Sequence, residues 1–224
     1  MNIRGGLPVE YPMPNSQILR WTGIALASGG VLTFLINAAL TPALVSHAPF
    51  SHTAASSLFL WRQGASALAA ALLLFGAVGV YLCQADRLGS GGLIAFVMAL
   101  LGSSLLLATE WAEIFLVHTT LAVRAPDALN AMNSAHGMNF YDIGSMAALG
   151  LFMLGWLAMA AVSMKVGVLA RGAVGLMIAG LIAIPMLSAA LGMPWGPIAG
   201  NAILGAGWVW MGLEVRRRGR PATR

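Results

Sequence analysis

The chain has 224 residues, of which 59% are hydrophobic and 8% charged, with a formal net charge of +5. Soluble domains carry about 25% charged residues, so this composition excludes a soluble globular domain and leaves an integral membrane protein. The single cysteine, Cys83, excludes an intrachain disulfide and a cysteine-based metal cluster.

Residues 1–17, "MNIRGGLPVEYPMPNSQ", are rich in Gly and Pro and have no apolar period, which predicts an irregular arm. The first apolar stretch, 18–42, is long enough to cross a hydrocarbon core. "SHA" at 46–48 loosely matches a small-x-small cleavage site. The apolar region before it exceeds the 7–15 residues of a signal peptide, and the arm contains Glu10 and three prolines, so the stretch is read as a retained helix. Asn37 in its outer half is expected to bond across helices or to touch a substrate.

The proline-bearing "TPALVSHAPFSH" separates this span from a second at 58–84, and "ADRLGSGG" separates the second from a third at 91–121. "RAPDALNAMNSAHG" then leads to a fourth span at 139–164. A fifth follows at 168–191, where Pro185 is expected to kink the helix. After the turn "LGMPWGP" comes a sixth at 196–215, and residues 216–224 form a basic tail. The runs are too long for strands and show no period of two. An all-α bundle of six transmembrane helices is predicted.

With six spans both termini share one side. That side holds Arg4, Arg20, Arg87, Lys165, Arg171, Arg216, Arg217, Arg218, Arg220 and Arg224, against Arg62 and Arg124 on the other. Positively charged loops stay inside, so both termini are expected in the cytoplasm. Trp61, Trp111, Trp195 and Tyr141 fall at the outer boundary and Trp21 at the inner one, where amphipathic rings favour the headgroups. Gly172, Gly175, Ala179 and Gly180 on the fifth helix, with Gly200, Gly205 and Gly207 on the sixth, are small-residue faces for close packing.

The chemistry concentrates in "TEWAEIFLVHTT", residues 109–120, at the outer end of the third span. On an α-helical wheel Glu110 and Glu113 lie about 60° apart and His118 about 80° beyond Glu110, one broad face turned into the bundle. With His136 and Asp142 they form a candidate metal set of Glu110, Glu113, His118, His136 and Asp142. His118 and His136 are the candidates for a cofactor such as a tetrapyrrole. No His-Glu-x-x-His or Glu-x-x-His pattern accompanies them. Arg62, at a similar depth, is expected within about 4 Å of Glu110 or Glu113 as an ion pair. No catalytic residue is assigned.

The segments "VGVLARGAVGLMIAGLIAIPML" and "LGMPWGPIAGNAILGAGWVWMGLEVRRR" resemble the end of many small uncharacterised bacterial polytopic membrane proteins. In those a Gly-Val-Leu-x-Arg turn opens the penultimate helix, and a Gly-rich, Trp-bearing last helix ends in arginines. The resemblance implies a bacterial cytoplasmic membrane protein and no particular activity.

Three functions fit these residues. The first is a non-catalytic bundle, either an accessory subunit of a membrane complex or a small binding protein. The others are a metal- or haem-dependent oxidoreductase or hydrolase working at the outer cluster, and a proton-coupled transporter carrying its proton on Glu110 or Glu113. The expected partners are the lipid bilayer and other membrane subunits. Nucleic acid is not among them, since the basic tail has no aromatic interleaving or folded module.

Overall fold

The computed structural model describes residues 15–44, 48–134 and 140–219. Among these the regular structure is entirely helical, and six helices are long and apolar enough to cross a membrane. The chain is therefore a multi-pass membrane protein.

Helix α1 is Asn15–Leu35, continued by a π-helical stretch Ile36–Leu40 and a last turn Thr41–Ala43. A short α2, Phe50–Ala54, precedes α3, Ser57–Leu82. Helix α4, Ala85–Ala112, runs on through a nine-residue π-helical stretch, Glu113–Leu121, to Arg124. A short α5, Pro126–Ser134, is followed by α6, Phe140–Val166, α7, Arg171–Leu191, and α8, Trp195–Arg218.

The six long helices match the six predicted spans. In the third, a first turn from Ala85 is broken at Gly89, whose φ 58° and ψ −164° are non-helical, and the long helical run begins after that kink, close to the expected start at 91. The connections after the first and third spans, read from sequence as loops, contain α2 and α5. Pro126 at the first helical position of α5 is the signal that marks it.

Each long helix lies beside the next in chain order, and α8 returns to pack along α1, which closes a ring. Short connections make neighbours antiparallel. The seam between α6 and α7 is the thinnest of the six. The two described ends meet, with Gly219 against the Ser16 carbonyl. This terminal end carries Arg20, Arg87, Lys165, Arg171 and Arg216–Arg218, while the distal end carries Arg62 and Arg124.

The thick seams depend on missing side chains. A Cβ on Gly102 would stand 2.4 Å from the Phe152 nitrogen, and one on Gly155 2.5 Å from the Ala99 nitrogen, so α4 and α6 touch backbone to backbone. Gly180 and Gly207 do the same between α7 and α8, and Gly30 and Gly205 between α1 and α8. Thus the expected α7–α8 small-residue contact forms through Gly180, Gly200 and Gly207. Gly175 faces open space, and Gly205 serves α1 instead. Without a hydrophobic force between helices in lipid, such close approach supplies the van der Waals contact that holds them.

The ring is filled in its terminal half and hollow in its distal half. Leu26, Val80, Trp156, Met159, Met177 and Met211 belong to one buried cluster at the terminal side. Outward, Leu68, Phe75, Ile94, Leu101, Leu154 and Ile182 are exposed. In water such a belt would be a sticky patch. In a bilayer it is the lipid-facing surface.

At the α3–α4 turn, Gln84 Nε2 donates to Ser163 Oγ at 2.7 Å and ties the turn to α6. Burial pushes the neighbouring Cys83 thiol up to about 11, against the opposing charge of Arg218. The reactive thiolate is therefore scarce near neutral pH. Maleimide is expected to leave Cys83 unmodified in the folded protein and to modify it fully after denaturation in SDS, read by intact mass. Rapid labelling of the folded protein would contradict this placement.

Candidate functional site

All six long helices contribute to one cavity of about 190 Å³ inside the distal half of the ring. Its polar lining is Thr33 and Asn37 from α1, Arg62 and Ser66 from α3, Glu110 from α4 and Asn201 from α8. The apolar lining includes Leu73, Leu106, Phe152, Leu181, Leu204 and Trp208.

Local structure sets these positions. The Ser56 hydroxyl accepts from the Phe59 amide at 3.1 Å and starts α3, which fixes Arg62 roughly 7.5 Å along that helix. Arg62 donates to the side-chain carbonyl of Gln63, a residue that is itself buried. Thr33 Oγ1 donates to the Gly29 carbonyl at 2.9 Å and Asn37 Nδ2 to the Thr33 carbonyl at 2.9 Å. Asn201 Nδ2 donates to the Pro197 carbonyl at 2.8 Å. These donors are thus taken up within their own helices. Asn37 makes no bond across helices, contrary to expectation, because its amide reaches its own preceding turn. It lines the cavity instead.

The aromatic side of the cavity is a packed trio. Trp208 meets Trp156 edge-on at a centroid separation of 5.6 Å and Phe152 at 6.1 Å. Trp156 donates its indole N–H to Ser103 Oγ at 3.2 Å, but the Trp208 N–H is buried without a partner. Glu110 Oε2 is likewise buried without a partner. An unmade hydrogen bond of this kind costs about 1–3 kcal/mol. Of the three such atoms among the described residues, these two belong to residues lining the cavity and the third, Gln84 Oε1, lies at the α3–α4 turn.

The residues of "TEWAEIFLVHTT" diverge. Glu110 turns into the cavity. Glu113 accepts the Tyr141 hydroxyl of α6 and borders a separate hollow of about 230 Å³ together with Asp142. The His118 Nδ1 lies 2.6 Å from the Ala54 carbonyl of α2, so that nitrogen carries the proton, and the ring stacks on Phe59. The shared face expected from an α-helical wheel does not form. The chain is π-helical from Glu113 onward, which changes the angular step, and Tyr141 and Ala54 take Glu113 and His118 in different directions. Among the described residues no three of His, Cys, Asp and Glu gather as a metal group. His136 lies outside the described residues.

The expected ion pair is also absent. Among the described residues the ion pair within 4.0 Å is Glu214–Arg217, at 3.6 Å. Arg62 and Glu110 line one cavity without closing on each other, since Gln63 takes up the Arg62 guanidinium and Tyr141 takes up Glu113.

Arg62 borders a second hollow as well, of about 370 Å³ at the distal end, with Thr41, Phe50, Phe59 and Asn133. It therefore borders both this distal hollow and the central cavity. Around it, α2 and α5 are stapled together. The Asn130 side chain accepts from the Ser51 amide at 2.9 Å and donates to the Ser51 hydroxyl at 3.0 Å. Sequence reasoning did not single out Trp208, Asn201 or Ser66. Each looks like an ordinary helix residue until the ring closes.

Comparisons with known protein families, curated proteins and solved structures found no match. The fold and the cavity by themselves define the class: a polytopic helical membrane protein, built as a ring of six helices around an internal polar-lined cavity.

Proposed function

We propose that this protein is a non-enzymatic binding protein of a bacterial cytoplasmic membrane, with both termini in the cytoplasm, that takes a small molecule into its central cavity from the outer face. One observation carries the reading. Two buried polar atoms without partners, Glu110 Oε2 and Trp208 Nε1, belong to residues lining the same cavity, together with the cation of Arg62. Buried polar groups in folded proteins are almost always satisfied, so two orphans on side chains beside one hollow argue for a guest onto which those side chains turn. The outer side of entry follows from the basic terminal end, which positive charge holds in the cytoplasm, and from the second hollow at the opposite end. The cavity size is near that of an engineered cavity of about 150 Å³ that binds benzene, and below the roughly 300–1,000 Å³ of drug-sized pockets. That size suits a small molecule.

Indole is a suitable neutral probe. At ten times its Kd it should stabilise the protein by about 1.4 kcal/mol, or roughly 3–6 °C in Tm. Ala70 lines the cavity and is buried, so Ala70→Phe fills the space and should abolish the shift, as should Ser66→Leu. The reading is overturned if wild type shows no shift with indole up to its solubility and native mass spectrometry of the gently purified protein shows no bound small molecule.

A further inference from the structure

Resting on that reading, we propose a class for the guest: a small zwitterion with an ammonium and a carboxylate on one carbon and a flexible, largely apolar side chain, as in an apolar α-amino acid. The cavity is lined by one guanidinium and one carboxyl group, Arg62 and Glu110, which form no ion pair within 4.0 Å of each other. A lone carboxylate or a lone amine as guest would satisfy one of these charges and leave the other without a partner. A zwitterion answers both, and the filled cavity stays neutral. Opposite charges brought together away from water are favourable when each also gains hydrogen bonds.

The available atoms fit this guest. Arg62 uses one guanidinium nitrogen on Gln63, which leaves most of its five N–H donors for a carboxylate. The Glu110 carboxyl group lines the cavity, and a carboxylate accepts strongly from an ammonium. Away from these charges the lining is Leu73, Phe152 and Leu204, which suits an apolar chain. A methionine side chain, unbranched, apolar and adaptable, suits that lining.

The test uses the full-length protein in mild detergent with four probes: L-methionine, methioninamide, 4-(methylthio)butanoate and indole. Methioninamide keeps the ammonium and lacks the carboxylate, and 4-(methylthio)butanoate is the reverse. Isothermal calorimetry on wild type should show methionine binding at least ten-fold more tightly than either analogue. Glu110→Gln should weaken methionine at least ten-fold and change 4-(methylthio)butanoate less than two-fold. Arg62→Gln should weaken methionine equally and spare methioninamide. The wild-type arm stands even if a variant fails to fold. If either one-charge analogue binds wild type as tightly as methionine, the zwitterion proposal is overturned. If indole binds and methionine does not, the guest class falls while the binding cavity stands. If neither binds, the guest class falls, and the cavity reading falls with it when native mass spectrometry also shows no bound small molecule.

Discussion

Gly155→Leu should abolish the monodisperse folded bundle. A Cβ at Gly155 would lie 2.5 Å from the nitrogen and 2.6 Å from the Cα of Ala99, so the obstacle is main chain and no rotamer change relieves it. The reciprocal contact of Gly102 with Phe152 lies in the same seam, so α4 and α6 must separate along their length. Overpacking a core usually costs about 1–3 kcal/mol when side chains can yield. Here they cannot, and the expected loss is at least about 3 kcal/mol from a typical total of about 5–15. Gly150→Leu on the same helix is the control, because nothing lies within 4 Å of a Cβ there, and leucine is the better helix former. Size-exclusion profiles and thermal melts should show Gly155→Leu aggregated or strongly destabilised and Gly150→Leu close to wild type. Equal melts for the two variants would mean that α4 and α6 do not touch as described.

Trp156→Ala comes next in size. Trp156 is fully buried, packs edge-on against Trp208 and Phe152, and donates its N–H to Ser103. Truncating a buried Trp costs about 3–5 kcal/mol, or roughly 6–20 °C in Tm for a chain of this size. Trp156→Phe separates the contributions. It keeps most of the ring volume and loses the hydrogen bond, worth about 1 kcal/mol. Ser103 still donates to the Ala99 carbonyl at 2.7 Å, so it is not left wholly unpaired. The remaining loss in Trp156→Ala is the packing beneath the cavity. A melt of Trp156→Ala within 3 °C of wild type would refute the placement of this residue at the centre of the packed half.

The two variants probe parts of the molecule that differ in how far they can be read from sequence. Gly180 and Gly207 stand out as small residues at helical spacing, and they do pack together. Gly102 and Gly155 are equally important but sit singly in their helices, and only the pairing of α4 with α6 gives them a role. Glu110 stands out because a carboxylate in an apolar span demands an explanation. Its neighbour Glu113 and His118 stand out for the same reason, yet they point elsewhere. An α-helical wheel assumes a constant angular step, and the π-helical stretch breaks that assumption. Trp208, one of seven tryptophans, carries no mark in the sequence.

The sequence by itself determined the membrane class, the number of spans and their approximate limits. Those follow from the length of apolar runs against the thickness of a hydrocarbon core, a property of each segment alone. It also marked an asymmetry between a basic terminal end and a distal end with two arginines, because charge is summed by side and needs no contacts. Only the tertiary structure decided that the six helices close into a ring, that the ring is packed at one end and hollow at the other, and that Arg62, Glu110 and Trp208 line one cavity. That decision depends on which face each helix turns inward. In lipid the apolar faces are nearly equivalent, so helix rotation is set by close glycine contacts and buried polar groups between residues far apart in the chain.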